Sequence, residues 1–305
     1  QCEGLVDAIA EARGLPSESI VVGAGSSDLV FRALTRWLTP QSSVLLLGPT
    51  YGEYQHLLDH VVGCRVDRFV LDSHDDYQVD LTLLGRRIAT TRPDLVIVVN
   101  PNNPTGQHIP RAEFEALVDR SPASTRFWID EAYLDYIGAD ESLERFAATS
   151  ANVVVCKSMS KVYALSGARA AYLTTARAVA AELRRVTPPW VVGLVAQLAA
   201  VTALRDPLYY SARYDETHLL RDGLSQGLRD LGLTVLPGRA NSVLCTVGDD
   251  APTVAEIVRE ARARRLFIRD ITSMTTQPSG RVFRVAVKDA VSNAAICRIL
   301  AEVLG

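Results

Sequence analysis

Lys161 ends the run V-V-V-C-K-S-M-S-K at Val153–Lys161, which delivers Ser158, Ser160 and Lys161 together, and Arg169 follows eight residues later. A lysine near a cation and partly out of water has a lowered pKa, so it can act as an amine nucleophile and later as a general base. Serines and an arginine on either side suit a phosphate. The usual fate of a single lysine is a solvated helix face, so this chemistry depends on what accompanies it. Gly23-Ala24-Gly25-Ser26-Ser27 follows a strand pattern and opens a helix. Glycines there let the backbone approach an anion, and the helix start offers free N–H groups. Taken by itself it reads equally as a Gly-Ser helix cap, and it is neither a Walker loop nor a G-x-G-x-x-G fingerprint. Asn100-Pro101-Asn102-Asn103-Pro104-Thr105-Gly106 reads as a rigid turn that presents amide side chains. Asp130, in Trp128-Ile129-Asp130-Glu131-Ala132-Tyr133, closes an apolar strand, where an acid is costly unless it meets a cation. Alone, it could also be a helix N-cap or a metal ligand, but no histidine or acidic cluster lies nearby. His56 and His60 stand four apart with no third ligand evident, and read as surface.

These groups fall at the ends of short apolar runs: Ser19–Val22, Ser43–Leu47, Arg65–Leu71, Leu95–Val99, Arg126–Ile129, Val153–Cys156 and Ala170–Thr174. Helical periodicity separates many of them, as over Ser27–Leu38, Gly52–Val62 and Arg111–Asp119. The alternation predicts an α/β domain with a mostly parallel sheet, whose ligands bind beyond the carboxyl ends of the strands. After about Asp206 the style changes. A long helix over Pro207–Leu231 leads to strands Thr234–Leu236 and Ser242–Val247. A helix over Val254–Arg264, strands Leu266–Arg269 and Val282–Val287, and a closing helix Ala290–Leu304 follow. The expected division is a large domain over 1–206 and a small α+β domain over 207–305.

With 48% hydrophobic and 22% charged residues over 305 positions, a sizeable core is expected, and a formal net charge of -3 gives no reason to expect nucleic acid. The dense basic stretch Arg262, Arg264 and Arg265 reads as a solvated helix face. Five scattered cysteines without a C-x-x-C pair argue against a disulfide framework or zinc site and fit a reducing cytoplasm. No signal peptide is visible. Val186–Leu204 is uncharged over 19 residues, but Pro188 and Pro189 interrupt it, and Trp190–Leu204 reads as a helix buried inside the protein rather than a membrane span. The chain opens at Gln1 already in a helical pattern, so an N-terminal segment ahead of it is expected.

In order, G-A-G-S-S, P-T-Y, N-P-N-N-P-T-G, I-D-E-A-Y and S-M-S-K-x7-R resemble the fold-type-I pyridoxal-phosphate (PLP) enzymes of aminotransferase class I and II, nearest the branch of histidinol-phosphate aminotransferases and threonine-phosphate decarboxylases. The resemblance covers nearly the whole chain. It implies the fold-type-I PLP-transferase fold, with a mostly parallel seven-stranded sheet domain and a smaller C-terminal α+β domain. It implies that Lys161 forms the Schiff base with PLP and shuttles the substrate's α-proton. By the same resemblance Asp130 pairs with the pyridinium nitrogen, so that the ring acts as an electron sink. Asn103 and Tyr133 bond the phenolic oxygen and Tyr51 stacks on the ring. Ser26, Ser27, Ser158, Ser160 and Arg169 hold the phosphate. Arg269 and Arg284, on strand patterns in the C-terminal part, would clamp the substrate's anionic end. Arg281 is a weaker competitor for the role of Arg284, and for Arg269 the competing reading is a salt bridge to Asp270 or another acid.

The chain departs from the family at Ala168 and Ala171, where a leucine and a glycine are usual. The implied activity is that of a biosynthetic aminotransferase of amino-acid metabolism, acting on an amino acid or amino-phosphate. A threonine-phosphate decarboxylase-like enzyme or a specialised PLP lyase or cyclase is the alternative. From another class, a PLP-sensing regulator domain would carry a DNA-binding segment ahead of Gln1. The resemblance also implies a homodimer with its active sites near the interface, while cysteine usage, charge and hydropathy lead to the expectation of a cytoplasmic protein with no membrane or nucleic-acid partner.

Overall fold

The structure is a computed structural model and describes residues 2–274 and 281–305. Seven strands form one sheet: β1 (Ile20–Gly23), β2 (Ser43–Gly48), β3 (Arg65–Val70), β4 (Leu95–Val99), β5 (Arg126–Asp130), β6 (Val153–Ser158) and β7 (Ala171–Thr175). Their order is β1-β7-β6-β5-β4-β2-β3. Strands β3, β2, β4, β5 and β6 are mutually parallel, and β7 runs antiparallel to both β6 and β1. The mostly parallel seven-stranded sheet expected from the alternating runs is present, with strand ends shifted by one or two residues.

Side chains alternate between the two faces of a strand, and both faces here are covered. Leu46, Ile97, Trp128 and Val154 pack on one face with the helix Ser26–Trp37. Leu45, Val96, Phe127 and Val153 pack on the other with the helices Leu81–Thr91 and Arg111–Asp119. That is why these strands read as nearly continuous apolar runs.

A second, antiparallel sheet of β8 (Thr234–Leu236), β9 (Ser242–Thr246), β10 (Arg269–Asp270) and β11 (Val282–Ala286) has the order β10-β11-β9-β8. It packs its own core, including Leu228, Val243, Ile257, Phe283 and Leu300, against the helices Pro207–Asp230, Val254–Ala263 and Ala290–Leu304. Asp206 caps the first of these by accepting from the Tyr209 N–H, with Pro207 in the opening turn. Thr253 and Glu256 form a capping box on the second.

Three expectations need correction. Leu266–Ile268 is not strand, and only Arg269–Asp270 joins the ladder. Arg265 adopts φ 63 and the Leu266 N–H bonds the Ala261 carbonyl, so the turn that ends the helix Val254–Ala263 extends to Leu266, the start of the apolar run that reads as a strand. The helix expected over Trp190–Leu204 starts at Leu194 and is not buried all round. Ala196, Ala200 and Ala203 face the core, while Leu194, Val195 and Leu198 are 71%, 82% and 60% exposed. Gly52–Val62 is helical, but its second half, Leu58–Val62, is a π-helix that ends at Gly63 in the left-handed region.

Behind the site edge lies a buried ion cluster. The Lys157 ammonium on β6 donates to Glu131 Oε2 and Asp135 Oδ1, both at 3.1 Å, and stands 3.7 Å from Glu144. The Arg13 guanidinium donates to Asp135 Oδ2 at 2.6 Å, tying the first helix to this point. Burial opposes every charge here. It raises Glu131, yet Lys157 and Arg13 more than offset it at Asp135 and hold that carboxyl well below the usual range. Substituting Lys157→Met leaves three buried carboxylates facing Arg13 alone. A loss of about 3–5 kcal/mol is expected from urea unfolding.

Candidate active site

Every catalytic and cofactor position singled out in the sequence lies at one edge of the large sheet. β1, β2, β4, β5 and β6 end there, and β7 begins there, because it runs the opposite way. Gly23 and Ser158 both pair with Ala171. This brings Arg169, just before β7, alongside the loops that follow β1 and β6. Ser26, Ser27, Tyr51, Asn103, Asp130, Tyr133, Ser158, Ser160, Lys161 and Arg169 line one cavity of about 270 Å³, and Arg269 and Arg284 close it from the small sheet.

At one end the wall is made of hydroxyls and Arg169. Gly25 adopts φ 88, and a Cβ there would collide with the Arg169 guanidinium, so the glycine is required for the arginine to lie against this loop. Ser160 Oγ is buried with no hydrogen-bond partner among the described residues. A buried hydroxyl without a partner is uncommon and marks a position where a ligand oxygen completes the bonding. Serine hydroxyls, the first N–H groups of the helix Ser26–Trp37 and a guanidinium together match a phosphate.

In the middle stands Asp130, 5% exposed and without a cation at ion-pair distance among the described residues. It accepts from the Ala132 N–H at 3.0 Å and from the Tyr54 hydroxyl at 2.7 Å. Burial raises its pKa, against the lowering effect of those two donors. A buried acid of this kind calls for a positively charged partner from the cavity. Tyr133 lines the wall beside it, and Tyr51, at the half-open mouth, offers an aromatic ring.

The asparagine-rich loop divides its labour. Asn100 exchanges bonds with Ile109, donating to its carbonyl and accepting from its N–H, both at 2.9 Å. Asn102 donates to the Pro49 carbonyl at 2.9 Å and accepts from Thr50 at 3.2 Å, fastening the loop to the segment that carries Tyr51. Asn103 alone of the three reaches the cavity. Its Oδ1 accepts from Arg284 Nη1 at 2.6 Å, which leaves the amide NH₂ to donate.

The chain has three lysines. Lys157 is locked in the buried ion cluster and Lys288 is exposed before the last helix. Lys161, in the short helix Met159–Val162, is the one in the cavity, where it is open to solvent rather than desolvated by the protein.

Arg269 and Arg284 face each other directly across the β10–β11 ladder, so both guanidiniums can meet one ligand group. Arg269 forms no salt bridge with Asp270, whose carboxylate instead accepts from the Thr272 N–H at 2.8 Å. Arg281 is spent elsewhere, donating to the carbonyls of Gly248, Asp249 and Ala251. His56 and His60 have ring centroids 5.2 Å apart, and no metal-binding cluster occurs among the described residues. No helix among them is long and apolar enough to cross a membrane. Arg264 of the basic stretch pairs with Glu260 and Glu302 at the surface.

Tyr54 and the Lys157 cluster escaped sequence reasoning. For Tyr54 the spacing Tyr51-x-x-Tyr54 was available, since it puts both rings on one side of a helical turn. For Lys157 the signal was its place inside a β-branched run.

Residues 4–302 match the family description "Aminotransferase class I and II". A histidinol-phosphate aminotransferase of Moorella thermoacetica is 29% identical, over 99% of this chain and 76% of the relative. A threonine-phosphate decarboxylase of Salmonella typhimurium is 30% identical, over 98% of this chain and 81% of the relative. Among solved structures, the histidinol-phosphate aminotransferase of Sinorhizobium meliloti in complex with pyridoxal-5'-phosphate superposes with a TM-score of 0.91, covering 99% of this chain and 81% of that one at 24% identity.

Proposed function

The chain belongs to the class I and II aminotransferases, enzymes that use pyridoxal 5'-phosphate, and from that premise we propose that it transfers the amino group of a small substrate ending in a phosphate, with Lys161 holding the cofactor. The observation that carries this reading is the lysine inventory: of three, only Lys161 stands in the cavity with Asp130 and the arginines.

When bound, the cofactor supplies an electron sink for the pair left at the substrate's Cα. The protein supplies the rest. Ser26, Ser27, Ser158, Ser160 and Arg169 would bind the cofactor phosphate, and ionised Asp130 would accept a charge-assisted hydrogen bond from the protonated ring nitrogen. Asn103 and Tyr133 would donate to the phenolic oxygen, and Tyr51 would cover the ring. Lys161 would hold the cofactor and, as the free amine, would take the proton from the substrate's Cα. Arg269 and Arg284 would hold the dianionic end and so orient the substrate's Cα.

Gly25→Ala tests the phosphate end. Displacing Arg169 removes a charge-assisted contact, so affinity for free pyridoxal phosphate should fall about 10- to 100-fold in equilibrium dialysis.

A histidinol phosphate has no carboxylate to lose, whereas a threonine phosphate has one. Both are offered to the PLP-loaded protein, with a 2-oxo acid as acceptor. We expect the amino group to appear on the acceptor, without carbon dioxide release. The 30% identity to a threonine-phosphate decarboxylase supports a second reading, which carbon dioxide from threonine phosphate would establish in its place. No turnover of either compound would overturn the phosphate-ended substrate.

A cytoplasmic homodimer completes the proposal. The open apolar stripe Leu194, Val195 and Leu198, beside Trp190 at 73% exposure, supports a second copy as its cover. Sedimentation at the dimer mass is the expected result, and a monomer contradicts it.

A further inference from the structure

Trp128 and Asp130 are two apart on β5 and share one face of the sheet. Tyr54, from the helix Gly52–Leu57, lies over that face, and Tyr54 and Trp128 are both 0% exposed. Trp128 Nε1 donates to the Tyr54 hydroxyl at 2.8 Å, and that hydroxyl donates to Asp130 Oδ2 at 2.7 Å. The direction of the chain is fixed by chemistry. An indole N–H only donates, so the Tyr54 oxygen is the acceptor at that end. Its single hydrogen then has one destination, Asp130, and an ionised carboxylate only accepts. The Tyr54 O–H and the Ala132 N–H both donate to Asp130, and two donors on one carboxyl favour its ionised form.

We propose that Tyr54, braced by Trp128, is a positioning residue that keeps Asp130 ionised and aims its remaining lone pairs into the cavity. The inference rests on the reading of Asp130 as the partner of the cofactor's ring nitrogen. Tyr54 suits the task because burial, followed by the charge of Asp130, pushes its phenol well above the ordinary range, so it stays an O–H donor at any working pH. The other charged or titratable groups around Asp130 are Glu53 on the same helix as Tyr54, Lys161 on the helix after β6, Cys156 on β6, and Tyr51 and Tyr133 at the wall. Glu53 favours a protonated Asp130 and Lys161 an ionised one.

The test is Tyr54→Phe, which keeps the ring and deletes the hydroxyl. In the cofactor-free protein, the carbon-13 carboxyl signal of Asp130 should titrate at higher pH than in the parent. In the PLP-loaded protein, the visible band of the lysine-bound cofactor should titrate at higher pH too, because a more basic Asp130 draws the proton off the ring nitrogen. Turnover should fall about 10- to 100-fold with KM little changed, the loss of one hydrogen bond to a charged group. Trp128→Phe, which removes only the brace, should move the same signals in the same direction by less, and carries the test if Tyr54→Phe does not fold. An Asp130 titration unmoved in a folded variant overturns the proposal. The cofactor-free measurement makes no use of the reading of Asp130. If Asp130→Asn retains full turnover, that reading fails, whatever Tyr54 does.

Discussion

Lys161→Ala is expected to lower turnover by about 10³- to 10⁴-fold, the loss of an amine that both carries the cofactor and moves the proton. It should also remove the visible band that a lysine-bound PLP gives. The unfolding midpoint should stay within the range of ordinary surface substitutions, about 0.5 kcal/mol, because Lys161 is open to the cavity and carries no ion pair among the described residues. The contrast with Lys157→Met is diagnostic. That variant should lose stability through its buried carboxylates while any folded fraction keeps its band. Loss of the band on changing Lys157, with Lys161→Ala still coloured, would reverse the two assignments.

Asp130→Asn should lower turnover by about 10²- to 10³-fold, as an amide cannot hold a proton on the ring nitrogen. The same substitution should stabilise the cofactor-free protein at neutral pH. Burial sets the folded-state pKa of Asp130 above its unfolded value, so folding favours the protonated carboxyl. The resulting stability is complete below the unfolded aspartate value of about 3.9 and is lost as pH rises through the higher folded value. At neutral pH the parent therefore pays for a buried anion that asparagine does not carry. Thermal unfolding without cofactor should show a higher midpoint for Asp130→Asn near pH 7, and a difference that shrinks toward pH 4. A lower midpoint at pH 7 would mean that the carboxylate already has a cationic partner in the protein.

Much of this arrangement could be read from the residues, for reasons that differ by element. The parallel strands are covered on both faces, so Val44–Leu47, Leu95–Val99 and Val153–Cys156 appear as unbroken apolar runs that admit little else. The cavity residues were visible because their types are unusual where they stand: an acid ending an apolar strand, two prolines among three asparagines, a lysine after serines. What could not be read depends on relations across the fold. Leu266–Ile268 is a short apolar run like those of the strands, but no pattern shows whether a neighbouring strand lies within bonding reach. The helix Leu194–Leu204 is uncharged and largely apolar, and only the fold reveals that Ala196, Ala200 and Ala203 meet the core while Leu194, Val195 and Leu198 lie open. Tyr54 was passed over because its role exists only once β5 is beneath it. Asn102 and Asn103 are adjacent in sequence, yet one fastens the loop and the other faces the cavity.

The most direct test of the account is to load the protein with PLP, reduce it with borohydride, digest it and locate the pyridoxyl group by mass spectrometry. With three lysines in the chain the answer has few forms. The account predicts the group on the peptide holding Lys161, and its absence from Lys157 and Lys288. A label on either of those two, or none on any lysine despite saturating PLP, would contradict it.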